Sequence, residues 1–437
     1  MENVVEFKKV EEEKMNKLKV ILIGAGNRGT VYTEWMAKMP DRYAVVGVAE
    51  PIESRRNYIK EKHNIPSEMC FDDWKPLLNM GKVADLAIIS TMDKMHYEPT
   101  MKAISLKYDI LLEKPVSPEP EECKSISKYA EEMGVRIVVC HVLRYTPIFM
   151  TLKDIIDSGR IGKVMSINHE ECVGNVHQSH SFVRGNWGNS KRSSCMLLQK
   201  SCHDMDILQW LLGKQCKKVQ SFGALSYFNK DNAPEGSPEY CIEGCPIGET
   251  CPYNAVKIYL EIETKNCWLR QTCAREVNPT DEMVEKSLRT TQYGKCVYKC
   301  DNDVVDHQTV NLLFEDNITA TFTMNAFNKG GRFIHIFGTK GEVHAAIDGD
   351  RPIELYDFET KQTEKIPMSG KDGVEGGHAG GDEGIIRTLH EYLCGEYKGK
   401  SVSTITESCN NHLIVFAAEE SRENNTVVDM DEYIESL

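Results

Sequence analysis

Leu18-Lys19-Val20-Ile21-Leu22-Ile23-Gly24-Ala25-Gly26-Asn27-Arg28-Gly29 is the stretch that decides the fold. Its first six residues, rich in aliphatic and β-branched side chains, read as a buried strand that ends on a glycine. Arg28 to Lys38 then reads as a helix. Small residues between the two permit a tight turn and a close approach of the backbone. The turn aims backbone amides and a helix N-terminus at the same point, which suits a pyrophosphate. The bare glycine spacing also occurs in strand-to-helix turns of unrelated α/β proteins, so the flanking strand and helix carry the inference. Gly24, Gly26, Asn27, Arg28 and Gly29 are the candidate cofactor contacts of this loop.

Moving outward, Ala44 to Ala49 reads as a second buried strand, closed by Glu50-Pro51. Glu50 lies 21 residues beyond Gly29, where a carboxylate accepts hydrogen bonds from ribose hydroxyls. Its negative charge repels a 2′-phosphate, which predicts NAD over NADP; Arg55 and Arg56 pull the other way. Further strands are expected at Ala84 to Ser90, Asp109 to Leu112 and Val135 to Cys140, separated by helices at Ser54 to His63, Tyr97 to Leu106 and Pro118 to Met133. Alternating strands and helices, with strands apolar on both faces, predict a doubly wound parallel sheet of Rossmann type over residues 18–145.

After Tyr145 the pattern changes. A helix from Pro147 to Ser158 leads to a strand at Lys163 to Cys172, a long polar loop, and a helix from Cys202 to Leu212. Strands then follow one another with short turns: Asn311 to Phe314, Thr319 to Phe327, Phe333 to Gly338 and Glu342 to Ala346. Helices at Gly380 to Cys394 and Ser408 to Ser421 close the chain; Leu413, Ile414, Phe416 and Ala417 give the second an apolar stripe for packing. Residues 146–437 are therefore expected to form an α+β domain with a large, mostly antiparallel open sheet, making the whole an α/β protein.

Bulk properties exclude several classes. A chain of 437 residues has room for two domains. Its 52 basic and 66 acidic residues give a formal charge of −14, a poor match to nucleic acid. No apolar run of about 18 residues suggests a membrane span. Residues 1–17 form a charged extension without the apolar stretch of a signal peptide, which places the protein in the cytoplasm. The 16 cysteines are then expected as thiols. Cys241, Cys245 and Cys251 are close enough in sequence to grip a structural zinc ion, with Cys296 or Cys300 as a fourth ligand; a reduced or redox-active thiol cluster is the alternative.

Two further constellations carry chemistry. Leu112-Glu113-Lys114-Pro115 falls at the C-terminal end of the fourth expected strand, where ligands of open parallel sheets bind. A lysine there can stabilise a developing alkoxide or accept a proton; the plain alternative is a lysine at a turn before Pro115. Gln199-Lys200-Ser201-Cys202-His203-Asp204-Met205-Asp206 offers His203 as a general base, with Asp204 or Asp206 to orient it. The alternative is that the aspartates serve a helix's first turn and His203 is merely packed.

With these motifs the chain resembles the glucose–fructose oxidoreductase / inositol dehydrogenase / MocA (Gfo/Idh/MocA) family. The matching features are the glycine loop, Glu50, Ser90-Thr91 with His96, Glu113-Lys114-Pro115, Arg144-Tyr145, His203 with Asp206, and Gly338-Thr339-Lys340-Gly341. The resemblance implies NAD(P) binding, with Thr91, His96, Glu113, Lys114 and Arg144 among the cofactor contacts. It implies Lys114 and His203 as the catalytic pair, a sugar, glycoside or polyol as substrate, and a homo-oligomer, dimer or tetramer. Many members carry an aspartate four residues before the histidine, where this chain has Gln199. Asp204, Asp206 or Lys200 is expected to support the site instead. His177, His180, Arg184 and Trp187 offer donors, acceptors and an aromatic face for a sugar, with His307 and His378 as further candidates. Three functions follow: an NAD-dependent dehydrogenase acting on a ring secondary hydroxyl such as that at the 3-position; a redox-cycling glycosidase with tightly bound NAD; and a non-catalytic NAD-binding regulator. Intact Lys114 and His203 argue against the third.

Overall fold

The structure is a computed structural model that describes residues 17–347, 351–368 and 380–437. Its first sheet has six parallel strands: β1 (Leu18–Ile23), β2 (Tyr43–Ala49), β3 (Cys70–Phe71), β4 (Leu86–Ile89), β5 (Asp109–Leu112) and β6 (Ile137–Val139). Helices α1 (Asn27–Ala37), α2 (Glu53–His63), α3 (Trp74–Asn79), α4 (Tyr97–Ser105) and α5 (Pro120–Met133) connect them. The strand order β3-β2-β1-β4-β5-β6 reverses direction between β1 and β4. That reversal leaves a crevice at the strands' C-terminal ends, where the glycine loop lies. β4 is buried along its whole length, as a strand covered by helices on both faces must be.

The second half contains α6 (Pro147–Asp157), the single turn α7 (Asn175–His177), α8 (Met196–Leu212), α9 (Ala255–Tyr259), α10 (Trp268–Ala274), α11 (Asp281–Thr290), α12 (Gly381–Leu393), α13 (Ile405–Asn424) and α14 (Met430–Ser436). Its strands are β7 (Val164–Cys172), β8 (Cys216–Ala224), β9 (His307–Phe314), β10 (Thr319–Asn325), β11 (Gly331–Gly338), β12 (Gly341–Ile347), β13 (Ile353–Asp357), β14 (Gln362–Ile366) and β15 (Val428–Asp429). They form a nine-stranded sheet in the order β14-β13-β12-β11-β7-β10-β9-β8-β15. Every pairing in it is antiparallel except β7 with β10. One face packs in a single apolar core with α6, α8 and α13, and the other carries the alternate, less buried side chains.

The architecture matches the expected Rossmann sheet plus a mostly antiparallel second sheet. Three details differ. First, α8 begins at Met196, six residues before the expected start at Cys202. Its opening residues Met196, Leu197 and Leu198 are fully buried, so packing substitutes for a side-chain cap at Cys195. Gln199 and Lys200 are thus helical. Second, the short elements β3, α3, β13, β14 and β15 have too few residues to show a period. Third, residues 381–424 return to the first sheet. Ile385, Ile386 and Leu389 of α12 join the core around Tyr32, Met36 and Tyr43, and the Tyr43 hydroxyl donates to the Ile386 carbonyl at 2.7 Å. The division at residue 145 separates sequence patterns, while in space α12 and α13 bridge both halves. No helix among the described residues is long and apolar enough to cross a membrane.

Candidate active site

The glycine loop is built by close packing. Gly24 has φ +90°, and a Cβ there would lie 2.6 Å from the Ser90 carbonyl oxygen. A Cβ at Gly29 would lie 2.2 Å from the Gly24 carbonyl oxygen. Gly26 is different: a Cβ would meet nothing within 4 Å. It is the N-cap of α1 and makes no side-chain cap bond, so the first amides of α1, beginning at Asn27, face open space at the crevice. This is the room and the donor set that a pyrophosphate requires. Glu50 is buried at the end of β2. One carboxylate oxygen accepts from the Ala25 amide at 2.7 Å, and the other from the Ile52 amide at 2.9 Å. Each oxygen keeps a second lone pair for a ribose hydroxyl. Arg56 turns its guanidinium to the Glu50 backbone carbonyl at 2.5 Å.

Several expected contacts prove to have other partners. The Arg28 side chain donates to Glu113 at 3.0 Å and to both carboxylate oxygens of Asp382, at 2.5 and 3.3 Å. It clasps α12 to α1, leaving its backbone amide for the loop. Glu113 also accepts from the Tyr32 hydroxyl and from the Lys114 amide. Burial opposes its charge, but Arg28 and Lys114 overcome that and hold the Glu113 carboxyl below its ordinary value. The His96 ring bridges the Pro115 carbonyl at 2.7 Å and the Thr91 carbonyl at 3.1 Å, and the Thr91 hydroxyl donates to Met95. These two groups brace the loops around the crevice. Arg144 is corrected most clearly: it is 2% exposed and grips Asp206 with two bonds of 2.8 and 2.7 Å. A guanidinium so enclosed has no surface left for a cofactor.

Lys114 reaches α8, the helix that carries His203. Lys114 Nζ donates to the Gln199 carbonyl at 2.7 Å. His203 stands one helical turn later, on the same side of the helix. Lys114 is partly exposed and His203 is 5% exposed. Two buried histidines surround them, unforeseen in the sequence. His141, just past β6, meets His203 edge-on with centroids 5.7 Å apart, and meets His412 of α13 at 5.9 Å. Burial pushes His141 well below its ordinary pKa and His412 down to about 3, so both stay neutral. Asp93 was also missed. Its carboxylate accepts from the Gln199 amide and the Ser193 hydroxyl. A carboxylate from the loop after β4 thus sits against the side chain that replaces the family's aspartate.

The other polar residues of α8 point elsewhere. Lys200 pairs with Glu171 at 3.0 Å, and Asp204 with His169 at 2.8 Å and Arg332 at 2.9 Å, all beneath the second sheet. Asp206 belongs to Arg144 and to the Asn411 amide. The expectation that these three line the substrate site is therefore corrected: each is consumed by an internal partner.

The polar loop before α8 packs onto the excursion between β8 and β9. His177 meets the Trp268 ring at 5.2 Å. His180 contacts the Tyr259 hydroxyl at 2.7 Å, and burial drives its pKa down to about 3. Arg184, fully buried, donates to the Lys295 and Tyr253 carbonyls. Trp187 packs on Phe182 and the core. These are framework contacts. His307 is half-exposed beside Asp306 at 2.8 Å. His378 lies outside the described residues. All 16 cysteines are free thiols. Cys241, Cys245 and Cys251 line one cavity with Cys296 and Arg184, yet they do not form a set of three donors within 4.8 Å of one another. Among the described residues, the one set of three donors lying within 4.8 Å of one another is His335, Glu342 and His344. The expected zinc site in the cysteine loop is therefore not supported.

Comparison with known proteins agrees with this layout. Residues 18–141 match the family model GFO_IDH_MocA, described as an oxidoreductase family with an NAD-binding Rossmann fold. Residues 153–430 match the model of that family's C-terminal alpha/beta domain. The chain is 23% identical over 383 residues to the oxidoreductase YteT of Bacillus subtilis, covering 81% of this chain and 83% of that protein. It is 23% identical over 206 residues to the inositol 2-dehydrogenase of Salmonella typhimurium, covering 47% of this chain and 57% of the relative. Among solved structures, scyllo-inositol dehydrogenase from Lactobacillus casei, with bound NAD(H) and scyllo-inositol, superposes with a TM-score of 0.63 at 14% identity, covering 95% of this chain and 99% of that one. An oxidoreductase from Agrobacterium radiobacter, in complex with NAD+, L-tartaric acid and magnesium, gives 0.67 at 15% identity, covering 95% and 99%. At these identities the structures establish the fold.

Proposed function

The chain belongs to the Gfo/Idh/MocA oxidoreductase family, and on that premise we propose that it transfers a hydride between a secondary hydroxyl of a sugar, glycoside or related polyol and the nicotinamide of NAD. The coarser statement, an NAD(P)-dependent oxidoreductase, follows from the family match. The preference for NAD rests on Glu50, whose buried carboxylate stands at the end of β2. The observation that carries the chemistry is the Lys114 ammonium anchored on the Gln199 carbonyl, one helical turn before His203, at the C-terminal end of β5.

Bound NAD supplies the hydride acceptor; the residues of the chain do the rest. Lys114 uses one of its three N–H donors on Gln199, which fixes the ammonium and leaves two for a substrate oxygen. It holds that oxygen and stabilises the negative charge that grows as the C–H bond breaks. His203 accepts the hydroxyl proton as general base. Neutral His141 and His412 add no positive charge that would compete with Lys114. Assembly as a homo-oligomer, dimer or tetramer, is part of the same proposal, to be tested by sedimentation.

The test is Lys114→Ala assayed across a sugar panel, with NADH formation and glycoside cleavage followed in parallel. Turnover should fall by about 10²–10⁴-fold, with NAD affinity essentially retained. NADH accumulation identifies the dehydrogenase, and cleavage without NADH the redox-cycling glycosidase. Unchanged turnover in the variant would falsify the assigned site.

A further inference from the structure

The face of the nine-stranded sheet turned away from α8 holds a second cluster of chemistry. Strand register sets Asn168, His335, His344, Glu354 and Lys365 in one row across β7, β11, β12, β13 and β14. Alternation fixes the side they point to. Ile334, Ile336 and Val343 are buried in the core, so His335, Glu342 and His344 project from the opposite face. His335 Nε2 lies 3.2 Å from a Glu342 carboxylate oxygen. The two imidazoles lie with centroids 3.4 Å apart and planes tilted by 32°. One donor atom from each of the three residues lies within 4.8 Å of the other two.

We propose that His335, Glu342 and His344 form a binding site for one first-row divalent transition-metal ion of the Zn²⁺ type, separate from the dinucleotide crevice. The donor set argues for this class of ion. Two imidazole nitrogens and one carboxylate suit Zn²⁺, Co²⁺ or Ni²⁺, whereas Mg²⁺ and Ca²⁺ take oxygen ligands. Tetrahedral bonds of about 2.0–2.1 Å put neighbouring donors about 3.3 Å apart. The His335–Glu342 pair already has that spacing, and His344, exposed, reaches it by side-chain rotation. Ligating imidazoles must be unprotonated. All three ligands sit on paired strands, which fixes their backbones. Three protein ligands leave a coordination position open. His335 and His344 line a cavity of about 620 Å³ that Glu170, Arg351 and Glu354 also border.

The experiment uses the full chain, treated with chelator and returned to metal-free buffer. Co²⁺ is titrated by visible absorption and Zn²⁺ by calorimetry, on the wild type and on His335→Ala, His344→Ala and Glu342→Gln. Thiols elsewhere also take up metal, so the readout is the difference between proteins. Each histidine variant should lose one equivalent per chain, and Glu342→Gln should weaken that equivalent about tenfold or more. The wild type should gain thermal stability on adding Zn²⁺, and His344→Ala, folded and as active as wild type, should gain less. Equal stoichiometry and affinity in wild type and His344→Ala would overturn the proposal. The cluster is then only a His335–Glu342 contact with a second ring packed beside it.

Discussion

Arg144→Met separates two roles for one residue: the cofactor contact implied by family resemblance and the buried clasp seen in the structure. Arg144 and Asp206 are 2% and 0% exposed and share two hydrogen bonds of 2.8 and 2.7 Å. Methionine keeps most of the packing and removes the charge. Asp206 then keeps the Asn411 amide at 2.5 Å but has lost its cation. Removing one partner of a buried pair leaves an uncompensated charge, which costs about 3–5 kcal/mol. Burial already raises the Asp206 carboxyl despite the pull of Arg144, and the variant raises it further. An acid with a raised folded-state pKa is stabilising below its unfolded value and loses that contribution as pH rises through the folded value. The deficit should thus be smallest below about pH 4 and largest at neutral pH. Arg144→Met/Asp206→Leu removes both charges and should recover most of the loss. Trp210, whose ring lies 5.7 Å from the guanidinium, reports unfolding by fluorescence in a urea titration. NAD titration of the folded variants completes the assay. A loss of stability under about 1 kcal/mol, together with a large loss of NAD affinity, would refute the clasp and restore Arg144 to the cofactor site.

Two further outcomes are expected. Gly26→Ala should leave the melting temperature unchanged, since the added Cβ meets nothing within 4 Å and φ is −69°. It should weaken NAD binding about tenfold or more, which is about 1.4 kcal/mol, by filling the space a pyrophosphate needs; unchanged affinity in a binding titration would put the phosphates elsewhere. Asp204→Asn probes the charge network under the second sheet. Burial alone would raise Asp204, but Arg332 and His169 prevail and hold it at about 2. A depressed carboxyl stabilises the fold above its unfolded value and loses that contribution as pH falls through the folded value. The variant should therefore lose about 2 kcal/mol near neutral pH, shrinking between about pH 4 and pH 2. A deficit independent of pH in unfolding titrations would show that the charge is not what matters.

The parts of the site that were legible in the sequence are those whose cause is local or topological. The β1–glycine–α1 unit declares itself because an apolar run, three glycines and a helix are contiguous. Glu50 and Lys114 follow from a rule about strand ends. The illegible parts depend on distant partners. Arg28 meets Asp382 across 354 residues, and no pattern near the glycine loop predicts it. Asp93 acquires its place only when Gln199 and Ser193 fold over it. The start of α8 was misplaced for the same reason: Gln199, Lys200 and Ser201 look like loop residues until their partners bury them.

Helix α8 shows how these distant pairings make a reactive point. Residues 199, 203 and 206 share one side of the helix at i, i+4 and i+7, so Asp206 lies on the same side as His203. Arg144 reaches that side first and neutralises Asp206. One turn of side chains over, Lys200 is matched by Glu171, and Asp204 by Arg332. Across the crevice Arg28 is matched by Asp382 and Glu113. Each of these cations has its counter-charge within the fold. Lys114 differs: among the described residues no carboxylate lies within ion-pair distance of its ammonium, which rests on a neutral carbonyl and acts on the neighbouring Glu113 from farther off. A cation fixed on a neutral carbonyl at the mouth of a parallel sheet keeps donors with which to stabilise negative charge that develops on a ligand. The buried pairs thus balance their own charges, and the Lys114 ammonium keeps donors to spare against the helix that carries His203.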